Sequence, residues 1–388
     1  MNDAVIVDVI RSGSGKGKPG GGLSAVHPVD LLADVLGQLV ARNGLDPALV
    51  DDVIGGCVSQ VGEQTLNLTR NALLAAGFPE SVPGVTIDRQ CGSSQQAAAF
   101  AAQSIVAGTN DIVIACGVES MSRIPINAAV VGMNPYGQKL KERYPDGLVG
   151  QGISAELIVA RWGLEREQLD EFSANSHAKA AAAWARGDFA NEVVAVGDFA
   201  TDETIRASTT AEGLAGLPSA FRDPTFEARF PDLRWAITAG NSSPLTDGAS
   251  AALIMSSEKA KQLGMTPRAR IHTLVAVGSD PLYMLTGVLP ATEKVLKRSG
   301  LGIDDIDVFE VNEAFAPVPL IWLRETGADP AKLNVRGGAI ALGHPLGASG
   351  TKLLATMLNA LEASGGRYGL QVMCEGGGMA NATIIERI

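Results

Sequence analysis

The chain has 388 residues and a net charge of −11, and hydrophobic residues make up 46% of it against 19% charged residues. This length exceeds what one hydrophobic core usually supports, so we expect two or three packed subdomains. The acidic balance argues against nucleic acid or an anionic membrane surface as a partner, and no apolar run approaches the ~20 residues of a membrane span.

The first third of the chain predicts alternating strands and helices. Periodicity predicts a strand at 4–10, a helix at 28–43, and strands at 51–58 and 111–117. The glycine-rich stretch at 12–22 lacks P-loop spacing, which favours a surface loop. Residues 92–110 contain no charged side chain and are rich in alanine. A helix that is apolar on all sides is buried, so this segment predicts a helix in the middle of the protein.

Cys91 lies at the start of this predicted buried helix. The positive end of a helix dipole favours the thiolate, which is the nucleophilic form of cysteine. The position therefore makes Cys91 a candidate nucleophile. A structural core cysteine is the alternative, because free cysteine is among the most buried residue types.

The middle of the chain differs from both ends. Residues 118–244 hold most of the aromatic side chains and charge clusters, and helical segments at 155–162 and 168–186 alternate with loops. We therefore predict an inserted domain with a polar surface. An apolar strand at 249–255 follows it.

The last third repeats the pattern of the first. A strand at 306–311 corresponds to the strand at 51–58, and a strand at 368–374 corresponds to the strand at 111–117. The glycine-rich turn at 337–347 and the helix at 348–364 correspond to the Cys91 turn and its helix. Two similar α/β halves would bring these two turns close to a shared pseudo-twofold axis.

Further candidate residues lie in glycine-dense turns, where backbone N–H groups can approach a ligand closely. His344 lies in one such turn and could act as a base toward Cys91. Cys374 begins another, and Asn312 follows the strand at 306–311. Cys57 and Cys116 lie in apolar strands and are predicted to be packing residues. The spacing of the four cysteines fits no zinc site, so we expect reduced thiols and no metal.

Taken together, these motifs resemble the thiolase family over essentially the whole chain. Four motifs in the family's order carry the resemblance: residues 88–97 (DRQCGSSQQA), 312–316 (NEAFA), 337–350 (GGAIALGHPLGASG) and 374–378 (CEGGG). Residues 119–122 (ESMS), 238–243 (TAGNSS) and 247–249 (DGA) support it. The chain is more similar to bacterial catabolic thiolases than to the short-chain biosynthetic type. The latter carry a His-Met pair where this chain has Gly150 and Gln151, which implies a roomier acyl pocket.

The resemblance implies an α/β thiolase fold, a five-layer α-β-α-β-α arrangement of two related halves with an inserted loop domain. The expected N-terminal half spans 1–117 plus 245–267, the loop domain that binds coenzyme A spans 118–244, and the C-terminal half spans 268–388. The family also implies a homodimer or homotetramer, with coenzyme A as a substrate and no permanently bound cofactor. No secretory signal or peroxisomal address is visible, so we expect a cytoplasmic enzyme.

The implied activity is acyl-CoA:acetyl-CoA C-acyltransferase, which cleaves a 3-ketoacyl-CoA with coenzyme A or runs the reverse condensation. By resemblance, Cys91 is acylated, His344 takes its proton, and Cys374 is the general acid and base. Asn312 would hold a water in the first oxyanion hole, and the N–H groups of Cys91 and Gly376 would form the second.

The resemblance also implies contacts with coenzyme A from Arg206, Leu214 and Ser243. Two other functions compete with thiolase chemistry. A β-ketoacyl synthase shares the fold but uses His or Asn where Cys374 stands. A thiolase-fold lipid-binding protein would have lost catalysis, whereas this chain retains Cys91, His344 and Cys374.

Overall fold

The computed structural model describes residues 3–388, in which strands and helices alternate. The strands are β1 (Ala4–Ser12), β2 (Gly15–Lys16), β3 (Asp52–Gly56), β4 (Gly84–Ile87), β5 (Ile112–Ser120), β6 (Val193–Val194), β7 (Thr246–Ser256), β8 (Ala269–Gly278), β9 (Val308–Val311), β10 (Tyr368–Glu375) and β11 (Met379–Arg387). The helices are α1 (Pro28–Arg42), α2 (Leu68–Ala75), α3 (Ser93–Val106), α4 (Gln138–Arg143), α5 (Gln151–Trp162), α6 (Arg166–Arg186), α7 (Ala211–Ala215), α8 (Pro224–Arg229), α9 (Ser257–Gln262), α10 (Val288–Ser299), α11 (Pro317–Thr326), α12 (Ala339–Leu342) and α13 (Ser349–Ser364). Within these described residues, no helix combines the length and apolar character needed to cross a membrane.

The strands confirm the internal repeat that the sequence predicts. The first half has the order β4-β3-β5-β7-β1, and the second half has the order β9-β10-β11-β8. In both halves a parallel pair is followed by two antiparallel pairs. In the second half, a parallel bridge between Phe309 and Leu333 occupies the place that the pairing of β4 with β3 has in the first half. The short antiparallel pairing of β1 with β8 joins the halves.

The helices form layers against these sheets. α1 and α2 pack on the outer face of the first half, and α10 and α11 pack on the outer side of the second. α3 and α13 contact each other in a central layer whose core includes both sheets. The alanine-rich, uncharged sequence of α3 explains the burial of its first two turns, because a charged side chain there would have no solvent to reach. Toward the C-terminal end of α3, Phe100, Gln103 and Val106 are exposed, so the helix is not buried on all sides as predicted. The layers together form the expected five-layer fold.

The glycine-rich stretch near the N-terminus departs from its prediction. Residues 12–15 are buried, and Gly15–Lys16 forms β2 against β7. The backbone N–H of Ser14 donates to Asp202 Oδ1 at 2.9 Å, so the segment around Asp202 covers this stretch. The surface-loop prediction is wrong for these residues, because a contact between segments far apart in sequence leaves no local signal.

Candidate active site

The candidate catalytic side chains come from both halves and are all buried. Cys91 comes one residue before Gly92, the N-cap of α3. Asn312 follows β9, and Cys374 lies near the end of β10. His344 lies in the turn that leads into α13. Because the halves repeat, the two turns before the central helices meet, as the sequence predicts.

The hydrogen bonds around His344 define its tautomer. Ser349 Oγ donates to the carbonyl of Pro345 at 2.8 Å and lies 2.6 Å from His344 Nδ1. Since the hydroxyl proton is already used, Nδ1–H must be the donor to Ser349, which leaves a free lone pair on Nε2. Burial, helped by the charge of Lys352, lowers the pKa of His344 to about 3. The imidazole is therefore neutral and has the form of a base.

Asn312 joins the histidine to the second candidate thiol. Its Nδ2 lies 3.4 Å from His344 Nε2, and its side chain also forms a hydrogen bond with Cys374 that favours the thiolate. Its backbone N–H donates to Val372 on β10 at 3.0 Å, which fixes the two strand ends together. Within residues 3–388, Asn312 Oδ1 is buried and has no hydrogen-bond partner. That oxygen is available to a substrate or water.

Burial holds both thiols in the protonated state at rest. It raises the pKa of Cys91 to about 12, and a hydrogen bond from Gln151 opposes the shift. It also raises the pKa of Cys374, which the nearby charge of Cys91 raises further. The expectation that the helix start favours a Cys91 thiolate is therefore wrong. Desolvation of a buried charge outweighs the helix dipole.

Two glutamines surround the glycine turn after β10. A Cβ on Gly376 would lie 2.9 Å from Gln90 Oε1 and 3.1 Å from Gln151 Nε2. Gln90 directly precedes Cys91 and has a φ of 49°, a left-handed conformation that is uncommon outside glycine. The contact brings Gly376 close to the Cys91 turn, as the proposed oxyanion hole requires.

Buried carboxylates fix the turns that carry these residues. Glu313 accepts hydrogen bonds from Ser176 Oγ at 2.7 Å and from the backbone N–H of Ile340 at 3.2 Å. Glu119 accepts from the backbone N–H groups of Val58 and Gly347, each at 2.9 Å. Both motifs that carry these residues, NEAFA and ESMS, thus hold loops in place around the site.

The three residues expected to contact coenzyme A all lie within residues 118–244, the predicted loop domain. Leu214 is buried, and its Cδ2 would lie 2.7 Å from a Cβ on Gly240. Ser243 is half-buried, and its backbone N–H donates to the carbonyl of Ala314 at 3.0 Å, beside the NEAFA motif. Arg206 is exposed on the loop before α7.

Cys116 on β5 is buried among aliphatic residues, consistent with a packing role. Cys57 is buried directly after β3 rather than in the strand, and its Sγ donates to Glu119 Oε1 at 3.8 Å. All four cysteines are free.

Three residues with roles in the site were not predicted as site residues. Ser349 holds the His344 tautomer, and Gln151 reaches Cys91 although the sequence suggested only its effect on pocket size. Glu375 is buried next to Cys374. The sequence signal that could have identified Glu375 is its acidic side chain directly after a run of apolar strand residues.

Comparisons with known proteins cover the whole chain and agree with its fold. The family model described as "Thiolase, N-terminal domain" matches residues 4–258, and "Thiolase, C-terminal domain" matches 265–387. A steroid 3-ketoacyl-CoA thiolase, FadA6, from Mycobacterium tuberculosis is 49% identical over 100% of this chain and 95% of its own. A 3-ketoacyl-CoA thiolase from Idiomarina loihiensis is 43% identical over 100% of both chains. The crystal structure of the Bacillus anthracis acetyl-CoA acetyltransferase superposes with a TM-score of 0.89 at 37% identity, covering 100% of this chain and 99% of that one.

Proposed function

This chain belongs to the thiolase family, and on that premise we propose that it is a 3-ketoacyl-CoA thiolase acting through an acyl-Cys91 intermediate. It cleaves a 3-ketoacyl-CoA with coenzyme A to give acetyl-CoA and a shortened acyl-CoA. The single observation that carries the proposal is the convergence of a buried thiol, a neutral imidazole and a second buried thiol joined by Asn312. Full-length relatives named 3-ketoacyl-CoA thiolase support it.

In the first half-reaction Cys91 attacks the 3-keto carbon. Its proton passes to His344 Nε2, and the thiolate forms only as attack proceeds, because both groups are neutral at rest. The bond between C2 and C3 then breaks. Cys374 protonates the acetyl-CoA carbanion, and acetyl-CoA leaves an acyl thioester on Cys91.

In the second half-reaction the Cys374 thiolate takes the proton of incoming coenzyme A. The new thiolate attacks the acyl carbonyl, and Cys91 leaves as a thiolate, a good leaving group. His344 then returns its proton to Cys91, which restores the resting enzyme. The N–H groups of Cys91 and Gly376 stabilise the oxyanion of this step. In the first half-reaction, His344 and a water held by Asn312 stabilise the thioester oxygen of the acetyl half. One such donor is typically worth about 10²–10³ in rate.

The loop domain at 118–244 and its C-terminal boundary bind coenzyme A in this proposal. Arg206 lies near the nucleotide, Leu214 provides an apolar contact and Ser243 lies near the pantetheine. The position of Ser243 beside the NEAFA motif supports this assignment. Coenzyme A is a substrate here, and the four free thiols fit a reducing cytoplasm.

We further propose that the acyl group is bulky. Gly150 is exposed, and a Cβ on it would meet no atom within 4 Å, so the position held by histidine in short-chain enzymes leaves room for a larger acyl group. A cleft of about 460 Å³ lies further along α5. It is lined by the side chains of Leu157, Leu233 and Tyr283 together with Arg161, Arg229 and Asp232. The relative named a steroid thiolase agrees with a ring-bearing substrate.

A panel of 3-ketoacyl-CoAs tests both the proposed thiolase activity and the proposed preference for a bulky acyl group. Loss of the magnesium-enolate absorbance on adding coenzyme A reports cleavage of acetoacetyl-CoA, a long linear substrate and a ring-bearing one. We expect cleavage throughout, with kcat/KM rising with acyl size. Gly150→His should reduce the ring-bearing rate while acetoacetyl-CoA is still cleaved. No cleavage of any substrate would favour a lipid-binding protein, and a preference for acetoacetyl-CoA over every larger substrate would contradict the roomy pocket.

We also propose that the chain forms at least a dimer through the edge of the first half. β4 pairs only with β3 and ends the strand order, and Val85 on it is exposed. Leu66 is 82% exposed, and Phe100 on α3 is also exposed. Open strand edges with apolar side chains are sites of association. Sedimentation should give a dimer or tetramer that Val85→Glu weakens, and a monomer at micromolar concentration would contradict the proposal.

A further inference from the structure

Glu375 is a buried carboxyl group with no hydrogen-bond partner. It is the last residue of β10 and its side chain is fully buried. Within the described residues neither of its oxygens has a partner. An ionised carboxylate in this state would lose its hydration and gain nothing in return, whereas the neutral acid costs far less to bury.

The same carboxyl group lies against the nucleophile's turn. Because side chains alternate along a strand, Glu375 points away from the face that carries Cys374. It contacts Gly92, the residue after Cys91, so closely that a Cβ at position 92 would overlap its Oε1. The side chain of Asn381 on β11 also lies beside Gly92, and its Nδ2 donates to the Gly92 carbonyl at 3.1 Å. Asn381 Oδ1 is also without a partner among residues 3–388, so a proton on Glu375 has an acceptor nearby.

The charged groups around Glu375 do not neutralise it. The turn before Cys91 supplies Arg89, which favours the carboxylate, and Asp88, which opposes it. β11 supplies the neutral Asn381, and α5 supplies the neutral Gln151 next to Gly376. Burial dominates and raises the pKa of Glu375 to about 8. In its charged form Glu375 raises the pKa of both Cys91 and Cys374.

We propose that Glu375 is a positioning residue that carries a proton in the working enzyme and that its ionisation suppresses the Cys91 thiolate. When protonated, it supports the Cys91 turn without adding charge. When ionised, it places a negative charge against Gly92 and disfavours a second negative charge on the adjacent sulfur. The consequence for the reaction rests on the proposed nucleophilic role of Cys91, but the effect on the thiol does not.

The test is the pH dependence of Cys91 alkylation by iodoacetamide, followed at residue 91 itself by peptide mass spectrometry. Glu375→Gln keeps the shape of the side chain and removes its charge. Below pH 7 both proteins should react at similar rates, because Glu375 is then neutral. Between pH 7 and 9 the alkylation rate of the variant, divided by that of wild type, should rise to about 3- to 10-fold, because the wild type then carries a like charge near the thiol. Glu375→Asp retains the carboxyl group and should react like wild type at pH 9.

Asp88→Asn is the matched control, because it also removes one carboxylate from this turn while keeping the oxygen that accepts from Gln90 N–H. Asp88 opposes ionisation of Glu375, so removing its charge favours the Glu375 carboxylate, and the ratio for Asp88→Asn should not rise above one. A flat ratio for Glu375→Gln would overturn the proposal, and so would an equal rise in Asp88→Asn. Thiolase activity measured in parallel separates this result from the proposed function, since alkylation reports the thiol whether or not Cys91 is acylated.

Discussion

At the scale of single residues, the two buried thiols have different tasks that one substitution should separate. Cys374→Ser removes an effective acid and base but leaves Cys91 and its oxyanion donors in place. Carbanion formation from acetyl-CoA should fall by about 10²-fold or more, the usual contribution of a general base. Acyl transfer between Cys91 and coenzyme A uses Cys374 only to accept the proton of a thiol, which is far more acidic than a C–H group, so this step should fall much less. Exchange of acetyl-CoA α-protons with deuterated solvent and acyl transfer to labelled coenzyme A measure the two steps. Retained α-proton exchange in a folded variant would mean that Cys374 is not the base.

Glu375 also makes stability depend on pH. Its pKa is about 8 in the folded chain, against an ordinary value of 4.5. Between these values the folded chain holds a proton that the unfolded chain has released, so the free energy of unfolding falls as pH rises. Glu375→Gln removes the titrating group and with it this fall in the free energy of unfolding. The variant should match wild type near pH 5 and be more stable by about 2–5 kcal/mol at pH 8. Urea unfolding at the two pH values measures this, and a difference that does not change with pH would disprove it.

At the scale of elements, the contact between α3 and α13 sets the position of Cys91 relative to His344. A Cβ on Gly350, in the first turn of α13, would overlap the backbone N of Gln95 on α3. Gly350→Ala should therefore force the helices apart, destabilise the fold by about 1–3 kcal/mol and lower kcat. Gly37 in α1 has open space around it, so Gly37→Ala should instead stabilise by about 0.5–1 kcal/mol. The midpoints of urea unfolding compare the stability of the two variants. Equal effects from both would contradict the close packing of α3 against α13.

At the scale of the whole molecule, a buried ion cluster joins the segment at 192–202 to the central sheet. Arg11 on β1 is fully buried and bonds to Glu192 and Asp202, each at 2.7 Å. Arg11→Met would leave two buried carboxylates without their partner, which should cost about 3–5 kcal/mol. Arg222→Met breaks the surface pair with Glu227, which should cost less than about 1 kcal/mol. Thermal unfolding would disprove the claim if both variants lost the same stability.

The sequence predicts local features of this molecule well and long-range contacts poorly. The helix at α3, the strands that flank it and the repeat between halves follow from periodicity and composition, and the structure has them. The burial of residues 12–15 and the contact of Glu375 with Gly92 depend on segments far apart in the chain, so no local pattern signals them. The resting protonation of Cys91 was mispredicted for a similar reason, because desolvation reflects the whole surrounding fold.

The most direct test of the account is the mass of the enzyme after one turnover without free coenzyme A. Incubation with a 3-ketoacyl-CoA should leave one acyl group, shortened by the two carbons of the released acetyl-CoA. Peptide mapping should place it on Cys91, and Cys91→Ala should fold but remain unlabelled and inactive. An acyl group on Cys57, Cys116 or Cys374, or turnover by Cys91→Ala, would contradict the central claim.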